Sequence, residues 1–226
     1  MNFIKILLLC YLLISFTTDE KNSVPQHSSN TPIETEWIVS NFAQSPSENI
    51  QLLGAPKTVN CIYGNALEFN GLNDGIFIKS MPLNNLTEFT IEAIFRPDSG
   101  GNFEQRFFHC GTITGSRVLL EIRATKTGWY FDGFAKSEEQ ACTLIDSTLL
   151  HPLDKWYHVA YTVDNGKLTT YVNGEKELNG KIDFIPLSKG KTSVGVRQNE
   201  LSWFKGAIYA IKITPRILQP KEFMKE

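Results

Sequence analysis

WYHVAYTVDNGKLTTYVNGE, residues 156–175, decides the fold class. Tyr157, Val159, Tyr161 and Val163 recur at every second position, the period of a strand with one face buried. Asp164-Asn165-Gly166 then supplies residues that accept the left-handed backbone of a tight reversal. Leu168, Thr170 and Val172 alternate on the way back, and Asn173-Gly174 starts a second reversal. The stretch reads as an antiparallel hairpin, and the rest of the chain is expected to be built on sheets.

Working outward, the same period of two recurs in short runs separated by Gly, Asn, Asp and Pro, the pattern of a β-sandwich rather than of alternating βα units. Thr90–Pro97 places Ile91, Ala93 and Phe95 inside, with Glu92 and Arg96 outside. Arg106–Gly111, Arg117–Thr125 and Trp129–Lys136 form a block of three strands. Strands at Ile182–Pro186, Thr192–Arg197 and Lys205–Thr214 follow. One element departs from this. Thr31-Pro32-Ile33-Glu34 offers a cap, a proline at the first helical position and a glutamate three residues after the cap, and Ile33, Trp37, Ile38 and Phe42 recur at helical spacing. This predicts a short helix over Pro32–Asn41.

The 226 residues, 42% hydrophobic and 20% charged, suit one sandwich domain. With 22 basic against 24 acidic residues there is no footprint for a phosphate backbone, so no nucleic-acid partner is expected. A lysine followed by an apolar run from Ile6 to Phe16 has the length of a signal-peptide core, too short to span a bilayer. The expected organisation is a signal peptide at 1–17, a flexible leader and short helix at 18–48, and the sandwich at 49–226, in a secreted, periplasmic or cell-surface protein with no membrane span after cleavage. Leu9 before Cys10 argues against a lipid anchor. Export leaves Cys61, Cys110 and Cys142. Their odd count permits one bridge at most, their spacing suits no zinc site, and idle thiols are the simpler reading. Cys110 and Cys142, flanking the three-strand block, are the pair to test, with Cys61 free.

Trp-Tyr-His-Val-Ala, a polar turn and Tyr-Val-Asn-Gly resemble the central hairpin of laminin-G-like jelly rolls in the concanavalin A-like lectin and glucanase superfamily. Asn60–Ile78 is similar to the opening hairpin of that superfamily, Thr90–Pro97 to its "F-T-x-E-x-x-x-R-P" strand, and Pro215–Met224 to its "L-x-P-x-E-F" terminal helical turn. The resemblance runs from about Ile50 to the end. It implies an all-β, two-sheet antiparallel jelly roll with short terminal helices.

The candidate site lies on the three-strand block. Val118, Leu120 and Ile122 make a core face, which turns Glu121 and Arg123 outward; Trp129 and Phe131 likewise oppose Tyr130, Asp132, Phe134 and Lys136. The short Lys126-Thr127-Gly128 connection favours a hairpin, so Glu121, Arg123, Asp132 and Lys136 should cluster near the surface. His109, Arg197 and an unshielded Trp203 complete the set. Planar polar groups beside aromatic faces suit sugar recognition; charges paired across strands on a solvated face are the plainer alternative.

Hydrolases of the superfamily resemble a strand with paired carboxylates, where this chain has Glu121-Ile122-Arg123, although Asp132 on the next strand could partner Glu121. Gln105, Arg106, His109, Arg123, Tyr130 and Lys136 supply the ingredients of a lyase without its spacings. His109, His151 and His158 read as structural residues. Asn70, Asn73 and Asp74 could hold calcium, as relatives do, or simply make a turn; no other cofactor is expected. Asn85-Leu86-Thr87 is a glycosylation sequon. The expected function is an exported module that binds a glycan or a glycosylated surface partner, with a carbohydrate-active enzyme or a protein-adhesion module as the competing classes.

Overall fold

The computed structural model describes residues 33–45 and 47–225. The signal peptide, the leader and the first residue of the expected helix lie outside that range. The hairpin at 156–175 forms as its alternation requires. Tyr157–Asp164 (β11) pairs antiparallel with Lys167–Val172 (β12), and Asp164 faces Lys167. The two turn residues have positive φ, 45° at Asn165 and 87° at Gly166, as a two-residue reversal with the right twist demands. A side chain at Gly166 would also meet the Ile182 carbonyl oxygen at 2.1 Å.

Among the described residues, fifteen strands, numbered in chain order, form two antiparallel sheets. The first runs Glu175–Lys181 (β13), β12, β11, Glu88–Pro97 (β6), Lys205–Thr214 (β15), Gly64–Asn70 (β4) and Lys57–Cys61 (β3), and Thr35–Ile38 (β1) also pairs with β15. The second runs Gln140–Ile145 (β10), Trp129–Ser137 (β9), Arg117–Ala124 (β8), Glu104–Gly111 (β7), Lys191–Val194 (β14), Gly75–Ile78 (β5) and Ile50–Leu53 (β2). Their inner faces meet in an aromatic core. Phe95 of β6 stacks on Phe107 of β7 at 4.6 Å and meets Trp129 of β9 edge-on at 5.2 Å. A bulge between Arg106 and Phe108 lets β7 send both Phe107 and Phe108 inward. The residues on either side of that bulge, Arg106 and His109, are both opposite outward-facing positions of β8, Glu121 and Leu119.

Four expectations are corrected. Thr35–Ile38 is a strand, and among the described residues the helical turn nearby is Asn41–Gln44 (α1). Such a short helix is marginal alone, whereas β4 pairs with β15 only as far as Ile208, and β1 fills the vacant edge from Ala210 to Ile213. Second, the strands flanking the Asn70–Asp74 loop belong to different sheets; the opening hairpin is β3 with β4. Third, all three described cysteines are free. Cys110 on β7 and Cys142 on β10 are separated by β8 and β9, so three spacings of about 4.8 Å lie between their strands, far beyond the reach of a disulfide. Fourth, Ile182–Pro186 connects the sheets without pairing as a strand. At the other end, Pro220–Glu222 makes the anticipated terminal turn, a single 3₁₀ turn capped by Gln219 and Glu222.

Candidate functional site

The outer face of the second sheet collects charge because three neighbouring strands are in register there. Glu121 of β8 lies opposite Asp132 of β9 and Arg106 of β7, and Arg123 lies opposite Tyr130 and Glu104. The side chains close into one network. Glu121 accepts from Arg106 Nε at 2.7 Å and from Arg123 Nη1 at 3.1 Å. Arg123 Nη2 reaches Asp132 Oδ2 at 2.5 Å and Glu104 Oε1 at 3.4 Å, and Arg106 Nη2 donates to the same Glu104 oxygen at 2.6 Å.

The network is sunk rather than solvated. Glu121 is 2% exposed and Asp132 1%, against the expectation of a surface cluster. The segment 197–203 covers the Arg106 side. Ser202 accepts the Arg106 backbone N–H and, through its hydroxyl, an Arg106 guanidinium N–H. Glu200 and Ser202 adopt φ of 59° and 56° to do so, a strain of roughly 1–3 kcal/mol each for residues other than glycine.

Burial sets the electrostatics. It raises the Glu121 pKa despite the opposing charges of Arg106 and Arg123. Burial, and then the charge of Glu121, push Asp132 up to about 7, with Arg123 opposing. Glu104 moves the other way: burial raises it, but the Arg106 hydrogen bond and the Arg106 and Arg123 charges outweigh that. Asp132 Oδ1 is buried without a partner.

The other expected site residues separate. Tyr130 joins the network's edge, where the 57%-exposed ring of Phe103 meets it edge-on at 6.5 Å. Lys136 shares the outer face but sits four residues beyond Asp132, about 13 Å along the strand, and faces Arg117 instead. His109 is wholly buried. Its Nε2 donates to the Thr112 carbonyl and its Nδ1 accepts from the Gln198 N–H. Those roles fix the neutral tautomer, and burial pushes its pKa down to about 4. Arg197 reaches the Ile113 carbonyl. Trp203 is half-buried rather than unshielded; its ring lies against Gly75 of β5, away from the network.

Sequence reading did not put Glu104 or Phe103 in the site and named Arg106 only among lyase ingredients. The signal is in the sequence, since Glu104-Gln105-Arg106 and Glu121-Ile122-Arg123 are the same charge pattern run antiparallel, but a strand that begins at Arg106 leaves Glu104 out.

A cavity of about 600 Å³ lies elsewhere, lined by Lys57, Glu68, Asn70, Asp74, Asp98 and Lys205 among others. Its carboxylates are engaged. Asp98 and Glu68 pair with Arg96, and the Asp74 oxygens accept the Ala55 and Asn70 N–H groups. Asn70 Oδ1 takes three N–H groups of the same loop, and Asn73 Oδ1 takes the Asn70 amide. These oxygens serve the hydrogen bonds of the loop's own turn, and among the described residues no group of three or more His, Cys, Asp or Glu is placed to hold a metal. No described helix is long and apolar enough to cross a membrane.

Comparison with known proteins follows the fold. No curated protein matches the sequence. Domain 4 of AbnA, a GH43 extracellular arabinanase from Geobacillus stearothermophilus solved with arabinotriose, superposes with a TM-score of 0.59 at 22% identity, covering 75% of this chain and 79% of that one. The binding domain of botulinum neurotoxin serotype D gives 0.58 at 18% identity over 76% of this chain and 44% of its own. A heptameric SAP-like pentraxin from Limulus polyphemus gives 0.54 at 16% identity over 68% and 76%. At these identities the likeness concerns the fold. The laminin-G-type family model matches residues 70–223, and on that match the chain belongs to the concanavalin A-like lectin/glucanases superfamily.

Proposed function

We propose that the protein is an exported carbohydrate-binding module that holds a glycan along the outer face of its second sheet, beside the Glu104–Arg106–Glu121–Arg123–Asp132 network. The observation that carries this reading is Phe103, an exposed ring packed on Tyr130 at the network's edge. A sugar ring presents an apolar face to an aromatic ring and hydroxyls to planar polar groups, and the half-exposed Glu104 and partly exposed Arg123 stand alongside to share those hydroxyl hydrogen bonds. Glu121 and Asp132 lie underneath and hold the two arginines. The arabinotriose-bound arabinanase domain lends the same fold to a sugar-bound example, and the apolar run from Ile6 to Phe16 supports export.

Glu121 and Asp132 are direct cross-strand neighbours, which places their Cβ atoms about 5 Å apart and invites comparison with a retaining hydrolase pair. Their burial at 2% and 1%, behind Arg106 and Arg123, favours a framework over a reacting pair. A glycan array on the purified full chain tests the reading. Retention of at least one glycan class, weakened about tenfold by Phe103→Ala with an unchanged melting temperature, is the expected result. A blank array, or binding indifferent to Phe103→Ala, overturns it.

A further inference from the structure

The far end of the same face carries positive charge that no ion pair among the described residues neutralises. Arg117 at the start of β8 and Lys136 near the end of β9 are directly opposed across the strands, an arrangement that normally destabilises a sheet. Neither forms an ion pair among the described residues, and neither does Arg197. The two guanidinium groups are drawn together by one turn: Arg117 donates to the Thr114 and Gly115 carbonyls at 2.8 Å, and Arg197 to the Ile113 carbonyl at 3.0 Å. Arg117 also lies over the Phe134 ring at 4.9 Å, which fixes its plane. The Nε of each arginine is buried without an acceptor. Burial, with the neighbouring arginine charges behind it, lowers the pKa of both, against an opposing pull from Glu121 that Glu104 joins at Arg197.

From this geometry we propose that Arg117, Lys136 and Arg197 form an anion subsite that takes the acid group, carboxylate or sulfate, of an acidic glycan lying along the face. The inference rests on the glycan-binding reading and adds the ligand's chemical class. Guanidinium donors in a fixed plane match a planar or tetrahedral oxyanion, and such an ion removes the repulsion that the turn imposes. The buried network at the other end is already paired, whereas the three cations at this end have no ion-pair partner among the described residues.

The experiment titrates the full chain with polygalacturonate, heparin and neutral arabinan, and repeats it with Arg197→Gln, Lys136→Gln and Arg117→Gln. Acidic polymers should bind at least tenfold more tightly than arabinan, and the preference should weaken as salt is raised. Each variant should lose several-fold in acidic affinity and keep its arabinan affinity. Polygalacturonate against heparin separates a carboxylate from a sulfate ligand. Lys136→Gln breaks no side-chain hydrogen bond of the fold and so keeps the test valid if Arg117→Gln loosens its turn. Equal affinity for arabinan and the acidic polymers, or variants that bind acidic polymers as the parent does, overturns the subsite while leaving the glycan reading intact. Binding to no polymer of either kind overturns both.

Discussion

Each sheet buries a charged group on its outer face under a later segment of chain, yet the two covers are chemically opposite. On the first sheet, Glu92 of β6 lies 2.9 Å from His158 Nε2 of β11 and accepts the Met224 N–H at 2.6 Å. Leu218 and Phe223 of the C-terminal segment seal the pair against Ala160 and Tyr171, with the Phe223 ring 5.3 Å from that of His158. On the second sheet, the cover is the polar, strained segment 197–203, and an exposed Phe103 stands at the open edge. Both faces leave one carboxylate oxygen without a partner, Glu92 Oε2 and Asp132 Oδ1. An orphan atom therefore does not tell a site from a strut. The covers differ: apolar side chains lie over the first pair, while the second face keeps polar groups at its rim.

The comparison can be broken by mutation, and the largest effect should come from the second face. Arg123→Ala leaves Glu121 and Asp132 buried without their shared counter-ion, and removing one member of a buried ionic network typically costs about 3–5 kcal/mol. Denaturant unfolding measures it, and a loss below about 1 kcal/mol would mean that the carboxylates were already neutral or wet. On the first face, Phe223→Ala should cost about 3 kcal/mol through lost apolar contact and leave glycan binding untouched. A variant of Phe223 that folds stably but loses glycan affinity would reverse the assignment of roles to the two faces.

Much of this was legible. Val118, Leu120 and Ile122 oriented β8, and with it Glu121 and Arg123, because a slip of one residue would have sent charges into the core. The 125–128 connection brought Asp132 beside them, closed by Thr125 N–H to Gly128 O at 2.7 Å. The depth of the cluster was not legible, since on the Arg106 side it depends on Ser202, 96 residues further along the chain, which arrives only through tertiary packing. The strand at Thr35–Ile38 was hidden for a related reason. Its local signals were helical, and the deciding factor was an unfilled edge of β15, a property of the sheet. The cysteines misled because flanking a block in sequence says nothing about how many strands separate two residues within it.

The smallest and most discriminating test is pH. His109 has its folded pKa depressed from 6.5 to about 4. Its contribution is present above pH 6.5 and is lost as pH falls toward 4, because the unfolded chain takes up the proton first. Asp132 is raised from 3.8 to about 7, so its contribution is present below pH 3.8 and is lost as pH rises through 7. Between pH 4 and 6.5 the two slopes oppose each other, each at roughly 1 kcal/mol per pH unit, and burial under the same sheet face causes both. Asp132→Asn removes one arm. Because groups that do not interact with Asp132 titrate alike in parent and variant, the difference between their stability curves reports Asp132 together with its neighbours Glu121 and Glu104, and the variant should gain on the parent steadily from pH 4 to 7. Thermal melting across that range is the measurement. Parallel curves would show that Asp132 ionises normally in the folded state, and would place it in contact with water, at odds with a framework buried beneath the proposed glycan-binding face.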